Sequence, residues 1–326
     1  MAEFKLIEQV VKQLGGSGDQ CGVALDSGDD AAQLVGGSWP LVTTDTLVEG
    51  THWDPDYSSL TDVGFKLLSV NLSDIAAMGG EAGPMLLSFT LPSPLQKEHM
   101  MALTEGISLC RSAHGLSESK NVAIGGDLTT SSGLTVLTMT LFGRIADSGR
   151  VVRRKGGRAG DDLWVSGTLG SAAAGLAALQ AGLKSNGDFS ALISQHLRPT
   201  AQLRLGGLLS QIENVHALID LSDGLAGDLP HLVEGTGLGA EVFTDKLPCR
   251  PALNELARRL QRNPLDWMLS GGEDFQLLCA ASPCCGDLLG GMGMTKIGHL
   301  NADGEIRYLD AENRRIHRKF SGYEHR

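Results

Sequence analysis

Apolar residues recur along this chain at two spacings, one of three to four residues and one of two, and the switches between them predict alternating helices and strands. Phe4, Ile7, Val10, Val11 and Leu14 form one face of an N-terminal amphipathic helix that Gly15 and Gly16 end. The stretch 61–78 has helical spacing, with Leu68, Leu72 and Ile75 on one face, and 99–114 gives a second helix. Strands are expected over 41–44, 122–124 and 134–145, the last rich in Val, Leu and Thr. Further on, strands are expected at 162–165, 217–221, 241–243, 275–280, 295–297 and 306–309. Helices are expected over 171–183, 201–211 and 251–262, with helical material between 221 and 234.

The composition shifts to Gly and Arg over 147–160, which places a domain boundary there. The expectation is an N-terminal domain over 1–148 and a C-terminal domain over 149–326, each large enough for its own core. Strands alternating with helices in both halves indicate an α/β (α+β) fold. Apolar residues make up 42% of the chain, and no apolar run reaches the roughly 18 residues of a membrane span. The N-terminus shows no basic segment followed by an apolar one, so no signal peptide is read. Six cysteines without a CxxC pair read as free thiols in a reducing compartment, and the expected location is cytoplasmic. A net charge of −11 disfavours nucleic acid as a partner.

That charge also makes the acidic segments informative. Aspartate is a poor strand residue, and it is costly to bury unpaired. Yet it recurs at strand ends and beside glycines in 26–30 (DSGDD), 43–46 (TTDT), 71–74 (NLSD), 125–127 (GGD), 220–223 (DLSD) and 271–274 (GGED). Any one segment reads equally as a turn or a helix cap. Six that converge would need counter-ions, and Mg²⁺ suits such a site because it takes carboxylates, phosphate oxygens and water. Thr43, Thr44 and Ser73 offer neutral oxygens beside them, and Asn71 and Asp74, three apart on a helix, can share one face. Arg150, Arg153, Arg154, Lys155 and Arg158 form a basic run that reads as a solvated loop or as a triphosphate clamp. The turn at 166–170 (SGTLG) before an Ala-rich helix offers a phosphate contact at a helix N-terminus, although helix entry explains it equally.

No Gly-Lys dipeptide, HRD loop or DFG segment occurs, which excludes a P-loop and a protein kinase. The GTGLGA run at 235–240 follows a helix and precedes a strand, the reverse of a dinucleotide-binding turn, so it is a connection.

Taken in order, GDDAA (28–32), TTDTLVEGTHW (43–53), NLSDIAAMGG (71–80), GGDLT (125–129), DLSDGLAGDL (220–229) and SGGEDFQLL (270–278) resemble the thiamine-monophosphate kinase family. This family belongs to the aminoimidazole-ribonucleotide-synthetase-like superfamily of ATP-binding enzymes, and the resemblance spans nearly the whole chain. It implies ATP-dependent phosphorylation of thiamine monophosphate to thiamine diphosphate, the last step of that cofactor's biosynthesis, with several Mg²⁺ ions and ATP as co-substrate. It implies magnesium ligands at Asp30, Thr43, Thr44, Asp45, Asp74, Asp127, Asp220 and Asp223. ATP contacts would fall at Gly126, Asp127, Arg154 and Ser222, and thiamine monophosphate contacts at His52, Glu273 and Tyr323. A homodimer is implied in which the N-terminal sheets pair into a barrel. Trp53, Gln276 and Pro230 depart from the family pattern, and Pro230 is expected to kink or delay its helix. Because the attacking phosphate oxygen is already an anion, no general base is assigned. Two other readings remain open at this stage: another ATP-dependent member of the superfamily, such as aminoimidazole ribonucleotide synthetase, and a non-enzymatic nucleotide or metal-binding relative.

Overall fold

The computed structural model describes residues 23–25, 29–183 and 187–323; the helix expected over 4–14, Cys21, Asp26 and Gly28 lie outside the described residues. The described chain builds two six-stranded sheets. The first holds β1 (Val23–Leu25), β2 (Ala32–Leu34), β3 (Leu41–Val48), β4 (Gly80–Pro92), β5 (Ala123–Ser131) and β6 (Val136–Ile145), in the order β1-β2-β3-β6-β4-β5. The second holds β7 (Asp162–Val165), β8 (Val215–Leu221), β9 (Gly239–Phe243), β10 (Gln276–Ala281), β11 (Thr295–Asn301) and β12 (Ile306–Leu309), in the order β12-β9-β11-β7-β10-β8. Only the β4–β5 and β9–β12 pairs are parallel among these strands.

The helices are α1 (Leu60–Ala77), α2 (Lys97–Ala113), α3 (Ser171–Gln180), α4 (Ser190–Leu197), α5 (Leu203–Leu209), α6 (Leu225–Val233), α7 (Pro251–Arg259), α8 (Pro264–Ser270) and α9 (Gly286–Gly291). The strands at 162–165 and 306–309 have the bounds expected from the sequence, and α1 matches the 61–78 expectation within one residue. Pro230 lies inside α6, which nevertheless runs to Val233. The pattern misses β4, because Gly80, Gly83 and Pro84 interrupt it. A register shift between Ala82 and Met85 absorbs that interruption. Gly83 is required there, since a Cβ would run into the Trp39 ring.

α1 is the central element. Ser59 caps it by accepting from the Asp62 N–H at 3.2 Å, while Asp62 Oδ2 accepts from the Ser59 N–H at 3.1 Å. Fourteen of its eighteen residues are buried, so it has no solvent face and must be packed on from several sides. Leu67, Leu68, Leu72 and Ile75 join the core of the first sheet with Leu41, Leu137, Met139 and Leu141. Ala76 and Ala77 join a second core with Leu218, Leu277 and Cys279 of the other sheet. α2 crosses α1 at close range, because Gly64 and Gly106 carry no Cβ to strike the facing backbone of Leu103 and Thr61. Among the described residues, no helix is long and apolar enough to cross a membrane.

α1 and α2 cover one face of the first sheet. Among the described residues, its other face, with Thr44, Thr46, Thr138, Thr140, Leu86 and Ser88, carries no covering element, and β5 is exposed along nearly its whole length.

Candidate active site

α1 brings the two sheets together at one end, and a cavity of about 730 Å³ opens there. β3 supplies Thr43 and Asp45 on its helix-facing side, and the last turns of α1 supply Ser73 and Asp74. Asp220 is the last residue but one of β8, with Ser222 and Asp223 just beyond the strand. Gln276 of β10 pairs with Leu221, so Glu273 arrives at the same end of the second sheet. Of the sequence-predicted residues, Asp30, Thr43, Thr44, Asp45, His52, Asp74, Arg154, Asp220, Ser222, Asp223, Glu273 and Tyr323 all line this cavity. Tyr323 is carried there by the C-terminal tail, whose Gly322 lies backbone to backbone against Gly227 of α6. The Tyr323 N–H donates to Asp223 O at 3.1 Å.

The acidic centre is tight. One oxygen each from Asp30, Asp74 and Asp220 lie within 4.8 Å of one another. Thr43 Oγ1 donates to Asp74 Oδ2, and Ser73 Oγ donates to Asp220 Oδ2 at 2.7 Å. Arg154 Nη2 donates to Asp30 Oδ1 at 2.9 Å, while Asp30 Oδ2 is buried with no hydrogen-bond partner. Burial pushes the Asp45 carboxyl up to about 6 against the hydrogen bond from Asp74. Burial and the charges of Asp45, Asp220 and Asp30 push Asp74 well above the usual carboxylate range. Asp220 is raised in the same direction by burial and by Asp30. Burial alone would depress Arg154, but the charges of Asp30, Asp220 and Asp74 outweigh it and hold the guanidinium protonated. Three carboxylates crowded within 4.8 Å, one of them with a bare buried oxygen, offer the oxygen donors that a hard divalent cation would take. The all-oxygen chemistry fits Mg²⁺.

The thiamine end expected from the sequence is built differently from the acidic centre. His52 Nδ1 accepts the Val48 N–H at 3.0 Å, which leaves Nε2 as the N–H of the neutral ring. Glu273 adopts φ +68°, a left-handed backbone unusual for a non-glycine residue. Its carboxylate lies 2.6 Å from Lys66 Nζ and 3.3 Å from His196 Nδ1.

Several expectations need correction. Gly126 and Asp127 do not line the cavity of their own chain. The register runs Asp45–Met139–Leu87–Gly126 and Thr46–Thr138–Ser88–Asp127, so both sit three strands from β3. At ~4.8 Å per strand that is roughly 14 Å, beyond side-chain reach. Strand alternation turns Thr44 to the uncovered sheet face, where its hydroxyl lies 3.1 Å from Met139 O and from Thr140 Oγ1, although the residue borders the cavity. Asn71 is fully buried and donates to Leu67 O at 2.9 Å, so it does not share a site with Asp74. The basic run is not a clamp. Arg154 alone of its five cations lines the cavity, and Arg150 donates instead to the carbonyls of Ile212, Glu213 and Val215. The N-terminus of α3 is closed to phosphate, because Asp274 already accepts from the Gly170 N–H at 2.5 Å and the Ala172 N–H at 3.0 Å.

Lys66, His196, Tyr57, Asp29 and Asp228 escaped the sequence reading. Asp29 Oδ1 accepts the Arg154 N–H at 2.6 Å, and Asp228 Oδ2 accepts the Asp223 N–H at 3.1 Å; both fix backbone beside predicted site residues. Their signal was present in the acidic segments, but nothing local separated a ligand from a positioning carboxylate. Lys66 had a sharper signal: a lysine on the apolar face of α1, one and two turns before Val70 and Asp74.

Comparison with known proteins gives a consistent result. Residues 28–145 match the family described as AIR synthase related protein, N-terminal domain, and residues 158–307 match its C-terminal domain. Thiamine-monophosphate kinase of Salmonella typhimurium is 36% identical over 336 residues, covering 99% of this chain and 98% of that protein. The Bacillus subtilis enzyme of the same name is 34% identical over 282 residues, covering 85% and 82%. Among solved structures, AaThiL complexed with AMPPCP and TMP superposes with a TM-score of 0.84 at 30% identity, covering 99% of this chain and 96% of that one. The two-sheet fold is that of AIR synthase related proteins, and the chain belongs to the thiamine-monophosphate kinase family.

Proposed function

We propose that this chain transfers the γ-phosphoryl of ATP to the phosphate of thiamine monophosphate, giving thiamine diphosphate, in the cavity between its two sheets. One observation carries the reading: Asp30, Asp74 and Asp220, brought from three distant stretches, meet beside a single arginine at the cavity wall. No lysine or histidine reaches this acidic centre among the contacts described above, so the arrangement suits holding cations and phosphates rather than moving protons. The acceptor phosphate oxygen is already an anion, and in-line transfer to it needs no general base.

Asp30, Asp45, Asp74, Asp220 and Asp223, with Thr43 beside them, would hold Mg²⁺. Magnesium bound there supplies neutralisation and alignment of phosphate oxygens that would otherwise repel one another. Arg154, locked by Asp30 and with its backbone fixed by Asp29, presents its guanidinium to the ATP phosphates, and Ser222 stands at the same wall. His52, Glu273 and Tyr323 line the same cavity, where they would hold the thiamine moiety.

The roles of Gly126, Asp127 and the Thr44 hydroxyl require a second copy of the chain. All three lie on or beside the uncovered sheet face, and a homodimer closing the two faces into a barrel would bring them to a shared site. The absence of a membrane-crossing helix among the described residues and the reducing-compartment cysteine usage are consistent with a cytoplasmic enzyme.

The direct experiment is to incubate the purified chain with ATP, Mg²⁺ and thiamine monophosphate and to separate the thiamine esters. Thiamine diphosphate should accumulate with equimolar ADP, and its absence overturns the reading. Phosphorylation of another acceptor under the same conditions would favour a different superfamily chemistry.

A further inference from the structure

Lys66 is 2% exposed, and lysine is rarely this buried unless it is paired. Its place on α1 puts it one turn before Val70 and two before Asp74, both of which line the cavity. Its ammonium reaches two segments at once: Nζ lies 2.6 Å from Glu273 Oε1 and donates to His52 O at 3.0 Å. His52 follows β3 of the first sheet, whereas Glu273 precedes β10 of the second. The Glu273 N–H donates to Ser222 O at 2.7 Å, so the strained residue is fixed at its backbone and at its carboxylate.

Resting on the thiamine monophosphate reading above, we propose that Lys66 is a positioning residue for the thiamine end of the cavity, fixing the Glu273 carboxylate and tying it to the backbone of His52. Glu273 thereby meets the substrate as an acceptor of set direction, its charge already matched within the protein, rather than as a bare anion opposite the thiazolium. The groups that face it are Lys66 from α1, His196 from α4, Tyr57 from the turn before α1, whose ring centroid lies 6.3 Å from that of His196, and Asp274 beside it in the chain. Burial would raise Glu273, but the charge of Lys66 and the His196 contact outweigh it and hold the carboxyl at about 2. Burial keeps His196 itself low and therefore neutral near pH 7, so Lys66 is the group that supplies the positive charge.

The test compares the wild-type chain with K66M, K66R and K66M/E273Q, the last removing both halves of the buried pair so that no charge is left uncompensated. In K66M the KM for thiamine monophosphate should rise about tenfold or more while the KM for ATP stays within about twofold. Its kcat/KM for thiamine monophosphate should fall as pH is lowered from 8 to about 6, where the wild type stays flat, and K66R should restore the flat profile. Unchanged KM for thiamine monophosphate, an equal rise for both substrates, or an unaltered pH profile overturns the proposal. Thermal melting reads the same pairing without turnover. With Lys66 gone, Glu273 has a folded pKa above its unfolded value, so K66M should lose stability as pH rises from 5 to 8, and K66M/E273Q should not. Parallel melting curves for the two variants also overturn it. A wild-type chain that melts normally but leaves thiamine monophosphate untouched sinks the functional reading instead, and the melting comparison still decides the role of Lys66.

Discussion

Ser73 Oγ donates to Asp220 Oδ2 over 2.7 Å, joining residues 147 positions apart at the point where α1 meets the end of β8. The bond places an α1 hydroxyl between the acidic residues of the first half and those of the second. One Asp220 oxygen lies within 4.8 Å of oxygens of Asp30 and Asp74, where a cation would offset their mutual repulsion.

Removing one of these carboxylates should abolish function without unfolding the chain. Asp74→Asn is expected to lower turnover at least about a hundredfold while leaving the metal-free melting temperature equal or higher, since it relieves like-charge repulsion. Mg²⁺ should raise the melting temperature of the wild type, by about 2.7 kcal/mol of stability at a hundredfold excess over its dissociation constant. D74N should lose most of that gain. Full activity in D74N would falsify the metal-holding role.

Arg154 and Arg150 separate a site residue from a structural one within five positions. Arg154→Met should raise the KM for ATP and cost about 3–5 kcal/mol, because Asp30 keeps a buried charge with no partner. Arg150→Met should cost about 1–3 kcal/mol through the loss of its hydrogen bonds to backbone carbonyls, that of buried Val215 above all, and leave the KM for ATP unchanged. Steady-state kinetics together with urea unfolding of both variants check the contrast.

His52→Ala and Tyr323→Phe should act on one substrate only. The expected outcome is a raised KM for thiamine monophosphate with the KM for ATP within about twofold of wild type. Equal effects on both substrates would place these residues elsewhere in the cavity.

The uncovered sheet face predicts a second copy. Sedimentation should give twice the chain mass, and Leu86→Asp, which sets a charge on that face, should give a monomer with little activity. Asp127→Ala should remain dimeric and lose activity. A fully active monomer would remove the need for a partner at Gly126 and Asp127.

Acid sensitivity should trace to Glu273. Its folded pKa of about 2 lies below the ordinary 4.5, so its contribution is fully present above pH 4.5 and is lost as pH falls through 2. K66M/E273Q should therefore show a shallower acid-unfolding curve than the wild type between those pH values, measured by circular dichroism.

The chain announced much of this through local signals. Short runs of strand-forming residues set β7 and β12, the 3.6-residue period set α1, and the six acidic segments in order pointed to the family. Those features depend on residues a few positions apart, where periodicity and side-chain chemistry decide the outcome. Tertiary structure decided which oxygen meets which partner. Asp274 and Glu273 are neighbours in one motif, yet one closes the N-terminus of α3 and the other faces Lys66 in the cavity. Asp127 and Asp220 were both expected to hold magnesium, but strand order sets Asp127 three strands away from β3. Thr44 and Thr43 are adjacent, and the pleat sends them to opposite faces. Burial, register and non-local pairing fix these differences, because the free energy of a carboxylate depends on what the rest of the chain packs around it.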